Sequence, residues 1–260
     1  MTSRLTEDAY WDAGYAAHQE PVPLALDSFR HRADRRIVEL IEAVGLDGRR
    51  VLEVGAGNSA VLSCLAARHR DGEFAGLDYS PTGCALLARR AELEGVRIRV
   101  LHQDLFAPAP DLRGQFDVIF SIGVVEHFTE LPSVLGAMRT LLAPGGRMVT
   151  IIPNMAGIIG SLTRRWNRAV YDLHVPHDRA SLVKGHGDAG LDVTEAAYLC
   201  STNFGVLSSC FRSEQDPGWT TYLWLTRLTK LLWRVEDVVG ELPRTARFSP
   251  YIYAVSRHAA

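Results

Sequence analysis

The sequence lacks several features that would place the protein outside the cytoplasm or tie it to zinc. Its four cysteines, Cys64, Cys84, Cys200 and Cys210, include no C-x-x-C pair, which argues against a disulfide framework or a zinc site. No stretch approaches the ~20 apolar residues that span a bilayer. The N-terminal sequence MTSRLTEDAYWDAGY has no continuous apolar core of the signal-peptide type. We therefore expect reduced cysteines, no membrane span and a cytoplasmic protein.

The sequence also lacks an excess of charge of either sign. Lys and Arg number 28 against 30 Asp and Glu, whereas a domain that binds nucleic acid through its overall field is strongly basic. We expect no nucleic-acid partner. The 260 residues, 47% of them hydrophobic, suffice for one large domain with a full core.

Apolar segments alternate with helical segments from residue 50 onward. Strands are predicted at 50–54, 73–78, 97–101, 116–121, 146–152, 191–199 and 249–256, and helices at 58–70, 81–94, 131–142 and 178–189. A further helix, with apolar positions from Ile37 to Val44, precedes the first strand. This alternation is typical of parallel strands joined by right-handed crossovers. Two interruptions, 153–177 and 204–247, are predicted to be insertions.

The sequence VLEVGAGNSA, residues 51–60, joins a buried strand to a glycine turn. Gly55 and Gly57 have no side chains, so the backbone of the turn can approach a ligand closely. Glu53 stands two residues before the first glycine, where its charge would repel a dinucleotide pyrophosphate and attract a cation. S-Adenosylmethionine has a sulfonium, an ammonium and no phosphate, so the turn favours this cofactor. A turn that serves only close packing is the alternative.

Acidic residues follow the next two predicted strands. Asp78 can accept hydrogen bonds from both hydroxyls of an adenosine ribose. Asp104 can accept from an adenine amino group or cap the next helix. Further along the chain come Phe116-Asp117-Val118, Glu126-His127 and Pro144-Gly145-Gly146.

This ordered series resembles the class I S-adenosylmethionine-dependent methyltransferases over residues ~30–155. The resemblance implies an α/β fold, a Rossmann-like three-layer sandwich with a mostly parallel seven-stranded sheet. We predict one domain with an N-terminal helical lid (1–27), a cofactor-binding core (28–155) and acceptor-cap insertions (153–177 and 204–247) after strands five and six. The two insertions match no motif of the family, so their role is predicted from their residues alone. The residues that it places around the cofactor are Glu53, Gly55, Ala56, Gly57, Asp78, Tyr79, Asp104, Leu105, Ser121 and Gly123.

The acceptor site is predicted beyond the carboxyl ends of the strands, where ligands of open α/β sheets lie. Tyr10, Trp11 and Tyr15 form an aromatic cluster that either closes over this site as a lid or packs against the first helix. Asn154 follows strand five at the same edge and is a candidate acceptor contact.

Three histidines are candidate catalytic residues. His127 follows strand four, near where the methyl group should project, and either takes a proton from the acceptor or fixes its loop. The segment VYDLHVPHDRA, residues 170–180, contains His174 and His177. It is interpreted as a general base with orienting groups, as a metal site completed by His186, or as a helix cap on the surface. We expect no metal, because Pro176 breaks the register that two imidazoles need to share a helical face.

The segment 219–239, WTTYLWLTRLTKLLWRVEDVV, predicts an amphipathic helix. It would roof an apolar acceptor pocket, form a homodimer contact or lie in a membrane interface. The predicted function is methyl transfer from S-adenosylmethionine to an oxygen or nitrogen of a small, partly apolar metabolite, such as a secondary metabolite. An NAD(P)-dependent oxidoreductase, or a cofactor-binding protein with a non-methylating activity, are the alternatives.

Overall fold

A computed structural model describes residues 4–6, 8–16 and 21–258 of the chain. Its centre is a seven-stranded sheet with the strand order β3-β2-β1-β4-β5-β7-β6. The strands are β1 (Arg50–Val54), β2 (Glu73–Asp78), β3 (Ile98–His102), β4 (Phe116–Ile122), β5 (Leu142–Pro153), β6 (Leu191–Leu199) and β7 (Tyr251–His258). The first five strands pair in parallel, which confirms the expected Rossmann-like sheet.

Helices connect these strands and cover the sheet. They are α1 (Asp8–Ala16), α2 (Arg32–Glu42), α3 (Ala60–Arg68), α4 (Pro81–Glu94), α5 (Leu131–Leu141), α6 (Ile158–Trp166), α7 (Arg168–Asp172), α8 (Arg179–Asp188) and α9 (Trp219–Val239). Short 3-10 helices occupy Phe29–His31, Pro110–Leu112, Val125–His127 and Phe204–Cys210. Local sequence fixes several helix starts: Ser59 and Ser80 accept hydrogen bonds from Leu62 and Gly83 in the first turns of α3 and α4.

The last third of the chain departs from the parallel pattern. β7 lies between β5 and β6 and pairs antiparallel with both. The predicted strand at 249–256 is shifted to 251–258 in β7, since Pro250 has no N–H to donate. β5 begins at Leu142, earlier than the predicted residue 146, because Leu142 pairs with Phe116 ahead of the bulge at the Pro-Gly-Gly turn.

The sheet is buried on both faces. Leu52 and Ile119 belong to one apolar cluster with α5, whereas Val51 and Phe120 belong to a second cluster with α2 and α3. This explains the continuous apolar runs of the parallel strands. Arg50 donates to both carboxylate oxygens of Asp117 at 3.0 and 2.8 Å, so this acid anchors the start of β4 to β1.

A third, smaller apolar cluster holds the two interruptions together. Met155 and Ile159, at α6, pack with Phe204, Leu207 and Cys210, and α9 lies against this cluster. The division of the chain into lid, core and insertions stays a prediction. The four cysteines are free thiols, and within the described residues no helix is long and apolar enough to cross a bilayer. The cytoplasmic location stays a prediction.

Candidate functional site

The carboxyl ends of β1, β2 and β4 border a cavity of about 130 Å³. These ends meet at one edge because the three strands are parallel neighbours. Eight of the predicted site residues line the cavity: Gly55, Asp78, Tyr79, Leu105, Gly123, His127, Trp11 and Tyr15. Residues far apart in the chain therefore meet at this wall, and their roles toward a ligand stay predictions.

The glycine turn after β1 is tight and closely covered. Gly55 and Gly57 have φ angles of +72° and +39°, in the region that favours glycine. A Cβ on Gly55 would overlap the side chain of Val124, and one on Gly57 would overlap the ring of Tyr15. The turn thus needs glycine both for its backbone conformation and for close approach.

The carboxylate of Asp78 holds this turn in place. One oxygen accepts a hydrogen bond from the Gly57 N–H at 2.7 Å, and the other accepts from the Ser80 N–H at 2.8 Å. Burial raises the pKa of Asp78, and the backbone hydrogen bonds oppose that rise. A carboxylate has about four lone-pair sites, so Asp78 retains acceptor capacity toward the cavity.

Glu53 is a second buried acid beneath the turn. Its side chain is 3% exposed in β1, and its Oε2 has no hydrogen-bond partner among the residues that the structure describes. Burial raises the pKa of Glu53 to about 8, a hydrogen bond from Ser59 lowers it, and the charge of Asp78 raises it further. A cation above the turn would lower the pKa of Glu53 and favour its carboxylate, so two acids at a ligand-facing turn fit a cationic ligand, whereas the Asp78 carboxylate would repel a pyrophosphate. The residues present therefore fit S-adenosylmethionine.

Arg4 is a cavity residue that the sequence analysis missed. Its guanidinium pairs with Asp104 and lies 4.5 Å from the centre of the Tyr79 ring. Asp104 also accepts from the Phe106 N–H at 3.0 Å. A single arginine near the N-terminus belongs to no motif, so sequence alone could not have flagged it.

Helix α1 covers the cavity. Trp11 packs edge-on against the ring of His127, with 5.3 Å between ring centroids. Burial, followed by the negative charges of Asp78 and Glu53, raises the pKa of Tyr15. Tyr10 contacts Trp11 but is 43% exposed. Residues 1–3, 7 and 17–20 of the predicted lid lie outside the described residues.

His127 lies deepest of the three candidate histidines. Its Nδ1 faces the Leu173 carbonyl oxygen at 2.6 Å, and since a carbonyl only accepts, Nδ1 carries the proton and Nε2 the lone pair. Burial lowers the pKa of His127 to about 4, with a smaller effect from His174. This imidazole is therefore neutral near pH 7 and can accept a hydrogen bond.

His174 packs against His127 with 4.6 Å between ring centroids, whereas the buried Nε2 of His177 has no hydrogen-bond partner in the described part of the chain. Burial lowers the pKa of both. The metal site completed by His186 is wrong, because His186 lies in α8 and bonds Ser256 of β7 at 2.9 Å. The helix-cap interpretation of the segment is confirmed for Asp178, whose side chain accepts from the Ser181 N–H at 2.7 Å.

The remaining predicted residues lie outside the cavity wall. Ser121 is fully buried, and within the described ranges its hydroxyl has no hydrogen-bond partner. The Asn154 side chain donates to the carbonyl oxygens of Ala246 and Ser249 at 2.8 and 2.9 Å, so both of its amide protons fasten the β5 end to the segment before β7. Ala56 donates its N–H to Leu77 at 3.1 Å and belongs to the turn itself.

Comparison with known sequences points to one kind of domain. A family model described as a methyltransferase domain matches residues 52–148. Demethylmenaquinone methyltransferase of Thermus thermophilus is 33% identical over 118 residues, 45% of this chain and 52% of that protein. A ubiquinone biosynthesis O-methyltransferase of Bradyrhizobium sp. is 28% identical over 167 residues, 63% of this chain and 60% of that protein. The chain spans about half the length of the curated relatives it matches.

Solved structures share the fold over nearly the whole chain. The cyclase SpnF superposes with a TM-score of 0.67 at 15% identity, covering 99% of this chain and 97% of that one. A geranyl diphosphate C-methyltransferase from Streptomyces coelicolor, solved with S-adenosyl-L-homocysteine, has a TM-score of 0.61 at 15% identity, with coverages of 88% and 77%. At this identity the likeness establishes the fold.

Proposed function

We propose, because this chain belongs to the class I S-adenosylmethionine-dependent methyltransferases, that it transfers a methyl group from S-adenosylmethionine to a small, partly apolar acceptor. The accepting atom is an oxygen or a nitrogen. The observation that carries the proposal is the glycine turn between two buried acids, Glu53 and Asp78. This turn suits a cationic adenosyl ligand.

The cofactor residues follow from their places around the turn. Glu53, Gly55, Ala56 and Gly57 would lie under the methionine part, with Ser121 and Gly123 on its other side. Asp78 would accept from the ribose hydroxyls. Tyr79, Asp104 and Leu105 would flank the adenine, once Asp104 exchanges its pairing with Arg4 for the adenine amino group.

For methyl transfer, the enzyme mainly has to align the methyl donor with the acceptor and exclude water from the site. Bound S-adenosylmethionine supplies an activated methyl group. Trp11 and Tyr15 cover the cavity and exclude water. His127 accepts a hydrogen bond at Nε2 from the acceptor's O–H or N–H and so orients the attacking lone pair. As the methyl group passes to the acceptor, S-adenosylhomocysteine is the leaving group and the acceptor's proton, now strongly acidic, passes to Nε2 and then to solvent. A pKa of about 4 makes His127 a weak base, so orientation is its main contribution. His174, whose ring packs against that of His127, is a positioning residue, and His177 stays a candidate catalytic residue.

The acceptor class is supported by the names of the relatives. Two of them are named for demethylmenaquinone and for ubiquinone biosynthesis, and the second is an O-methyltransferase. The cavity-lining side chains Trp11, Leu105 and Phe128 are apolar, as a partly apolar acceptor requires. We therefore place hydroxylated ring compounds first among acceptors to test.

Calorimetry and a labelled donor test the proposal. We expect S-adenosylhomocysteine to bind at micromolar concentration and NAD not to bind; the reverse result would identify an oxidoreductase and refute the proposal. Incubation with methyl-labelled donor and a panel of phenols, hydroxyquinones and amines should give a methylated product. Tight S-adenosylhomocysteine binding with no labelled product across the panel would support the non-methylating alternative.

A further inference from the structure

Three side chains with metal-binding atoms meet beside the cavity. Glu126 and His127 lie in the 3-10 helix after β4, and His174 lies just after α7. One ligand atom from each lies within 4.8 Å of the other two. The proposed methyl transfer uses His127 as a hydrogen-bond acceptor and gives Glu126 no role.

The carboxyl group of Glu126 is buried without a partner. The residue is 1% exposed, and neither carboxylate oxygen has a hydrogen bond among the described residues. Its backbone oxygen, in contrast, accepts from the Val175 N–H at 2.7 Å, which ties the loop of His174 to this residue. Burying an unpaired carboxyl group is costly unless a charge or a metal compensates. A cation bound at Glu126 would supply that compensation.

The two histidines are oriented as metal ligands are. The Nδ1 of His127 faces the Leu173 carbonyl at 2.6 Å, and the Nδ1 of His174 faces the Val170 carbonyl at 2.8 Å. Both rings therefore donate through Nδ1 and keep the Nε2 lone pair. A histidine that binds a metal through one nitrogen usually donates its other N–H to a carbonyl or a carboxylate, which fixes the tautomer and the ring orientation.

We propose that Glu126, His127 and His174 bind one divalent transition-metal ion, through a carboxylate oxygen and two Nε2 atoms. Two imidazoles with one carboxylate favour Zn²⁺, Co²⁺ or Fe²⁺, whereas Mg²⁺ prefers oxygen ligands alone. Three protein ligands leave a coordination position open. His127 lines the cavity, so the ion would border the proposed acceptor site. While the ion is bound, its open coordination position would contact the acceptor atom in place of the His127 Nε2. Metal binding itself does not depend on the proposed methyl transfer.

Titration of metal-stripped full-length protein tests the site. Calorimetry should show one Zn²⁺ bound per chain and no comparable binding of Mg²⁺, and added Co²⁺ should give the visible absorption of a low-coordinate site. His174→Ala and Glu126→Gln should each weaken Zn²⁺ binding at least tenfold, since loss of even an outer partner of a ligating histidine weakens binding by about 10–100-fold. Failure of the unmodified protein to bind Zn²⁺ would overturn the proposal.

His69, a partly buried histidine that does not line the cavity, provides the matched control. His69 contacts Glu42 and Asp47 at 3.0 and 2.7 Å and could hold Zn²⁺ adventitiously. His69→Ala should leave the Zn²⁺ stoichiometry and affinity at the proposed site unchanged. If His69→Ala abolishes binding while His174→Ala preserves it, the proposed site is wrong.

Thermal unfolding gives a readout that is independent of affinity and of activity. A ligand that binds only the folded state raises the melting temperature, so Zn²⁺ should raise it in the unmodified protein and not in Glu126→Gln. Glutamine preserves the shape of glutamate, and circular dichroism verifies that the variant is folded. An equal Zn²⁺-induced rise in both proteins would contradict the assignment of Glu126.

Discussion

Asp78 has two functions that a single side chain can combine. Its carboxylate fixes the Gly57 and Ser80 amides at 2.7 and 2.8 Å, and it also lines the cavity. The shape of the glycine turn and the proposed ribose contact therefore depend on the same two oxygens.

Asp78→Ala should raise the dissociation constant of S-adenosylhomocysteine by roughly tenfold or more, because each lost charge-assisted hydrogen bond contributes ~1.5–3 kcal/mol. Isothermal calorimetry measures the change. Asp111→Ala is the control. Asp111 is exposed, and its ion pair with Arg99 is long, at 3.9 Å, so its loss should leave the dissociation constant unchanged. An unchanged constant in Asp78→Ala would place the ribose elsewhere.

Glu53 gives the protein a pH dependence of stability with a definite sign. Burial raises its pKa from 4.5 to about 8, so between these values the unfolded chain releases a proton that the ligand-free folded chain keeps. The contribution of this group to stability is complete below pH 4.5 and is lost as the pH rises through 8.

Glu53→Gln removes this titration. The free energy of unfolding of the unmodified protein should fall relative to that of the variant between pH 5 and 8, by at most ~1.4 kcal/mol per pH unit. Urea unfolding at several pH values measures the difference. Glu214→Gln, at an exposed position, is the control and should show the same dependence of unfolding free energy on pH as the unmodified protein. If the difference in unfolding free energy between Glu53→Gln and the unmodified protein does not change with pH, Glu53 does not titrate as a buried group.

At the scale of elements, α1 occupies part of the proposed ligand space. The cavity measures about 130 Å³, whereas ligand pockets usually start at ~300 Å³. Since Tyr15 lies against Gly57 and Trp11 lies against His127, we infer that α1 shifts when the cofactor binds.

Tryptophan fluorescence checks this shift. S-Adenosylhomocysteine should change the tryptophan emission of the unmodified protein, because the shift of α1 separates Trp11 from the ring of His127. Trp11→Phe should lose most of that change. The control Trp224→Phe removes a tryptophan that is 63% exposed on α9 and should keep the change. Equal changes in Trp11→Phe and the unmodified protein would show that α1 stays in place.

Elements with strong local patterns were predictable, and those that depend on distant pairing were not. The predicted bounds of β1, β2 and α4 are confirmed to the residue, and β6 and α9 are found where a strand near 191–199 and helical spacing within 219–239 were predicted. Caps, glycines and hydrophobic periods lie within each of these segments. The antiparallel β7 depends on contacts with β5 and β6, which no local pattern encodes.

The same distinction applies to the candidate site. Gly55 and Asp78 were predictable as neighbours because parallel strands end at one edge. The pairing of Arg4 with Asp104, and the approach of His174 to His127, result from how the N-terminal segment and the 153–177 insertion pack on that edge. Neither the hydrophobic periodicity of the sequence nor the spacing of its motifs carries information about this packing.

Helix α9 has an exposed apolar stripe at spacings of four and three residues: Trp224, Leu228, Leu231, Val235 and Val238. Its inner side packs on the third apolar cluster through Tyr222 and Leu225. The described wall of the cavity contains no α9 residue, so the structure does not support a roof over this cavity.

At the scale of the whole molecule, the homodimer through 219–239 stays a prediction. Sedimentation velocity should find a dimer for the unmodified protein and a monomer for Leu231→Glu, because a charge in an apolar contact is costly to bury. Leu93→Glu, at a 46% exposed position on α4, should remain dimeric. A monomeric unmodified protein would contradict the prediction.

The position of β7 has a consequence for how the chain is made. Residues 251–258 are the last of the seven strands to leave the ribosome, yet they fill the gap between β5 and β6. Until then, both neighbouring strands present unsatisfied edges that invite pairing with other chains. Nascent protein is therefore most vulnerable to aggregation in the interval between the emergence of β6 and that of β7, and chaperone protection in that interval would matter most for its yield.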